Sequence, residues 1–111
     1  MTDFFWAKIL WYRDFYDVPH IFCISVEGGL LLFDSRFDPA IDDYEPSYRV
    51  THLSGMTVEE GLDPELVISR AQSTVAIGEV HVDRDLFDDS RRERARIPRR
   101  IGITDLIESG V

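Results

Sequence analysis

The sequence predicts an α+β domain built on a curled antiparallel sheet of four to five strands, with two short helices in the C-terminal half. Three observations predict it. Residues 7–12 and 21–26 are rich in aromatic and β-branched side chains, which suit a pleated, half-buried surface. Gly28-Gly29 separates the second run from a third at 30–33, and paired glycines reach the positive φ angles a tight hairpin demands. The helix start signals follow these runs, so strands come first and helices later. A small β-barrel with appended helices is the alternative, because short strands and long connections also suit closure.

Taken in order, residues 7–12 alternate, with Ala7, Ile9 and Trp11 on one face and Lys8, Leu10 and Tyr12 on the other. Residues 13–19 read as a loop, since Pro19 fixes its own φ and pushes Val18 toward extended geometry, while Asp14 and Asp17 accept from nearby backbone N–H groups. Residues 21–26 pair antiparallel with 30–33. An acidic connection with two prolines then runs from Asp34 to Ser47. Residues 48–53 resume alternation as a fourth strand, with Tyr48, Val50 and His52 facing one way. Thr57 and Glu60 have capping-box spacing, but Gly61 limits that helix to one turn. Asp63 as N-cap and Pro64 at the first helical position start a better helix at 64–73. Residues 75–82 form a fifth strand. Ser90 and Glu93 make a second capping box, predicting a short helix at 91–97 ended by Pro98. Residues 101–107 are apolar again, and Thr104 is placed to cap a last helical turn.

A chain of 111 residues forms one domain by its length, 1–111. The net charge of −9 disfavours nonspecific attachment to nucleic acid or anionic lipid, which usually requires a basic surface. The charge is uneven: residues 90–111 hold six of the twelve basic side chains and three of the 21 acidic ones. No uncharged run is long enough to span a membrane as a helix. The N-terminus carries Asp3 where a secretory signal has basic residues, and the single cysteine, Cys23, forms no internal disulfide, so a cytoplasmic protein is expected.

Chemistry-bearing motifs are sparse. His20, His52 and His81 have no spacing that compels a metal site, and the acidic residues 38–45 lack the glycine and ligand order of a calcium loop. Cys23 lies in an apolar run where burial raises a thiol pKa. Ser35 has no glycine elbow around it. Gly28-Gly29 belongs to a hairpin and not to a phosphate loop. No catalytic residue, metal site or cofactor is therefore expected, and a non-enzymatic role is favoured.

The residues that remain are acids beside rings. Asp38, Asp42, Asp43, Tyr44 and Glu45 are the predicted binding residues, with Phe37 and Phe87 as further aromatics among the acidic loops. Carboxylates steer encounter with a basic protein and rings supply anchors after contact. The expected function is a small interaction domain of the inhibitor, immunity or antitoxin type, or an accessory subunit, with a basic protein as partner. One alternative is a metal-assisted hydrolase or nuclease using His20, Asp14, Asp17 and Asp34, where a divalent ion lowers the pKa of water. Another is nucleic-acid contact through the arginine-rich stretch bounded by Arg91 and Arg100.

Overall fold

The hairpin signalled by Gly28-Gly29 forms the centre of the sheet. The structure, a computed structural model, describes residues 4–26 and 28–98. In chain order the strands are β1 (Phe4–Tyr16), β2 (Val18–Val26), β3 (Gly29–Asp34), the two-residue β4 (Phe37–Asp38) and β5 (Asp43–Tyr44), and β6 (Ser47–Ser54). Helices α1 (Val58–Gly61) and α2 (Pro64–Gln72) follow, then β7 (Gly78–His81), a 3-10 turn at Arg84–Leu86, and β8 (Arg94–Pro98). Six strands lie in the order β7-β6-β3-β2-β1-β8, and β4 pairs with β5 in a separate small hairpin. All pairings are antiparallel.

Register follows the hydrophobic pattern. Ile21 pairs with Asp34, Cys23 with Leu32, and Val26 with Gly29, so the turn closes next to Gly28 at φ +86°. Leu30, Leu31, Leu32 and Phe33 are all buried. Successive side chains of a strand point to opposite faces, so burying four in a row requires cover on both. Phe22, Ile24, Leu31, Phe33, Tyr48 and Val50 pack on one face, together with Val80 of β7 and Ile97 of β8. The two edge strands reach the same cluster because the sheet curls toward it. Cys23, Leu30, Leu32 and Leu53 form the other face, covered by Met56 and by Val67 of α2.

The helices carry their predicted caps. Thr57 accepts from the Glu60 amide and Glu60 accepts from the Thr57 amide, while the Asp63 side chain accepts from the Leu66 amide. Trp11 Nε1–H donates to the Gly61 carbonyl at 2.6 Å, tying the end of α1 to the sheet. Among the described residues, no helix is long and apolar enough to cross a membrane.

Several expectations are corrected. The main sheet has six strands, not four to five, and both helices lie between β6 and β7. The sheet stays an open half-barrel rather than a closed barrel: β7 and β8 stand at its two edges, and residues 83–89 cross the open side. Leu86 and Phe87 fill the concavity there, with Phe87 edge-on to Phe22 (5.4 Å) and Tyr48 (6.5 Å). Of residues 13–19, expected as a loop, 13–16 and 18–19 are strand, because β1 turns directly into β2 at Asp17, a single residue at φ +68°. The simple alternation of 7–12 also fails. The register shifts between Ile9 and Trp11, and this bulge moves Trp11 beside Leu10 on the helix-covered face.

The helix expected at 91–97 is instead β8. Ser90 Oγ donates to Asp88 and accepts from the Arg92 amide, so no capping box forms, and Arg91 adopts φ +60°. Ala95 and Ile97 alternate into the core opposite Ala7 and Phe5, a burial that a helix of this segment would divide between core and solvent. The fifth predicted strand shortens to β7. The turn capped by Thr104 lies outside the described residues.

Candidate functional site

The hairpin β4–β5 projects from the end of the sheet where β3 stops and β6 begins. Asp38 Oδ1 accepts from the Ala40 amide at 2.9 Å, and the Ile41 amide donates to the Asp38 carbonyl at 3.2 Å. Asp42 turns the chain at φ +52°, a left-handed conformation that aspartate tolerates better than most residues. Glu45 closes the hairpin base, donating its amide to Arg36 O (2.8 Å) and accepting the Ser35 hydroxyl (2.7 Å).

A stack of rings seats this hairpin on the body. Tyr44 lies flat on His20, with centroids 3.7 Å apart and planes 11° apart, and Phe37 meets Tyr44 edge-on at 5.4 Å and 84°. His20 is buried in β2. Its Nε2 lies 3.2 Å from the Tyr16 carbonyl, and its Nδ1 lies 3.4 Å from Ser35 Oγ. The carbonyl accepts only, so the network assigns the hydrogen to Nε2. The Ser35 hydrogen goes to Glu45, which leaves the neutral Nδ1 facing a hydroxyl without a free hydrogen. Burial pushes the His20 pKa down, against the Tyr16 carbonyl and the carboxylates of Asp43, Asp14 and Asp17, which push it up. The ring under Tyr44 is therefore a neutral imidazole at neutral pH.

Above the seat the surface is mixed. Phe37 and Ile41 are 50% and 57% exposed, and Asp42, Asp43 and Glu45 are exposed around them. Asp38 and Tyr44 are half-buried. Among the described residues the ion pairs join Arg13 to Glu65, Arg36 to Asp34, and Arg84 and Arg91 to Asp17. None of them engages a carboxylate of the hairpin. This patch of carboxylates therefore forms no ion pair among the described residues, and all five predicted binding residues come together here.

The structure adds residues that sequence reasoning missed. Tyr16, 71% exposed, sits at the β1–β2 turn beside His20 and extends the patch past the hairpin, together with the exposed Asp14, which the sequence suggests only as a metal ligand. Ile41 stands in the sequence as a lone aliphatic between acids. Its signal was the spacing of Phe37 and Ile41 around Asp38-Pro39, which a tight turn brings to one projection. Phe87 is corrected in the other direction: it is buried in the concave core and offers no partner surface.

No family model matches this chain, and no curated protein or solved structure matches it significantly. The chemistry must be read from the residues.

The metal alternative finds little support in their placement. Among the described residues no three His, Cys, Asp or Glu side chains are grouped to hold an ion. Asp17 accepts from Arg84 and Arg91, Asp34 from Arg36, and His20 from β2 is capped by Tyr44. Cys23 is fully buried with its thiol pKa raised to about 12 by desolvation, so it is not a nucleophile. The arginine stretch is partly committed inward, with Arg91 on Asp17 and the Arg92 guanidinium 4.1 Å over the Phe15 ring. Arg99 and Arg100 lie outside the described residues.

Proposed function

We propose that this protein is a small non-enzymatic interaction domain that binds a basic protein through the β4–β5 hairpin and the adjoining β1–β2 turn. The observation that carries the reading is the pairing of exposed Phe37 and Ile41 with carboxylates that no guanidinium of the described residues neutralises, all seated on the His20–Tyr44 stack. A rigid apolar anchor inside a ring of one charge is the arrangement in which steering and burial act on the same partner. Preorganisation by the stack lowers the ordering entropy that a free loop of this length would lose on binding. The role is that of an inhibitor, an immunity or antitoxin protein, or an accessory subunit, any of which needs only a recognition face.

The test is quantitative affinity capture from the native cell, with wild-type protein, D42K/D43K and F37A compared side by side. A basic protein enriched by the wild type and lost with both variants, at unchanged far-UV circular dichroism, is the expected result. Equal enrichment by all three would remove this surface from consideration.

A further inference from the structure

The geometry points to a second site on the opposite side of the sheet: we propose that the cleft between α2 and the outer face of β2, β3 and β6 binds a small organic monocarboxylate with an apolar body. The cleft has a volume of about 620 Å³, within the range of small-molecule sites. Ile21 and Leu32 form an apolar floor, with the Thr51 hydroxyl beside them. Ile68 and Ala71 of α2 and Val75 beyond it form the facing wall. Val75 is 87% exposed, an aliphatic side chain left at the rim without cover from the fold.

Asp34, Arg36, Arg49, Gln72 and Thr74 supply the rest of the polar lining. Arg36 uses Nε to reach Asp34 Oδ2 at 3.3 Å, which orients the guanidinium and leaves both Nη groups without a partner among the described residues. Arg49 lines the same cleft and is exposed. In the ladder it stands between Asp34 on β3 and Glu79 on β7, yet forms an ion pair with neither. Two arginines with donors to spare therefore share this cleft wall with one carboxylate, Asp34. Planar guanidinium forks match the two oxygens of a carboxylate bidentately. The Asp34 carboxylate, also on the lining, opposes a second negative charge there, which disfavours a phosphate dianion. A ligand whose head meets Arg36 and Arg49 and whose body covers Leu32 and Ala71 fits both halves of the lining.

Octanoate is the probe, titrated into the full chain while the amide shifts of Leu32, Thr51 and Ala71 are followed by NMR. Saturable shifts at these positions are expected, with octanol binding at least tenfold more weakly and R49A losing at least tenfold in octanoate affinity at unchanged thermal midpoint. The D42K/D43K variant should bind octanoate as the wild type does, so this site stands or falls apart from the hairpin. Octanol binding equal to octanoate would show an apolar crevice without head-group recognition and overturn the proposal. An absence of saturable shifts at the three amides would overturn it as well.

Discussion

Tyr44→Ala isolates what holds the hairpin in place. The substitution removes a parallel stack at 3.7 Å and an edge contact at 5.4 Å, while the backbone hydrogen bonds at the hairpin base stay available. Aromatic pairs of these geometries contribute about 0.5 to 1.5 kcal/mol each beyond area burial, so the two together hold the seated hairpin by about 2 kcal/mol. Because about 1.4 kcal/mol is a factor of ten, local opening should become roughly 30-fold more frequent. Hydrogen exchange at the Glu45 amide, which donates to Arg36 O at 2.8 Å, reads that opening directly. Tyr44→Phe keeps both ring contacts and should leave exchange unchanged. Amides of β2 and β3 should change far less than Glu45, since the ring pairs lie outside the sheet's cores. The population effect on partner affinity should be no more than the same factor, and any contact made by the Tyr44 ring itself adds to it. Protection at Glu45 within about twofold of wild type in Tyr44→Ala would refute the idea that the stack preorganises the surface.

Three further perturbations test the fold beneath the site. His20 and His52 both have pKa values pushed below the ordinary 6.5 by burial, and His52 Nε2 has no hydrogen-bond partner. The unfolded chain therefore binds protons first on acidification, so stability is full above 6.5, falls as pH drops through it, and levels once the folded imidazoles protonate too. Urea midpoints between about pH 7.5 and 5.5 should fall, and His52→Gln should flatten part of that slope; an unchanged midpoint would contradict the desolvation of the buried His20 and the half-buried His52. Gly29→Ala places a Cβ inside contact distance of the Leu53 carbonyl at φ +154°, a conformation few side chains adopt. A loss of about 2 to 3 kcal/mol in chemical denaturation is expected, as neither the turn nor β6 backbone can yield cheaply. Trp11→Phe removes the indole N–H from Gly61 together with part of the ring packed on the helix-covered core, with an expected cost of about 1 to 2 kcal/mol and amide shifts concentrated in α1.

Much of this architecture was written in local chemistry. The Gly28-Gly29 turn, the Asp63-Pro64 helix start and the Thr57–Glu60 box each act within a few residues, and each appears in the structure where the sequence puts it. The candidate surface was legible in the same way, because acids and rings at 37–45 lie on one short turn and are adjacent wherever that turn is placed. What the tertiary structure alone decided were matters of distance along the chain. Whether residues 91–97 coil or extend depended on Ala95 and Ile97 finding β1 some ninety residues earlier, a pairing that overrides the capping signal at Ser90. The bulge that turns Trp11 toward Gly61 answers to α1, fifty residues on. That His20 lies under Tyr44 and not open to a ligand, and that Phe87 fills the core and not a partner's pocket, followed only once the sheet had curled. Propensity is a sum over neighbours in sequence, whereas burial is fixed by neighbours in space.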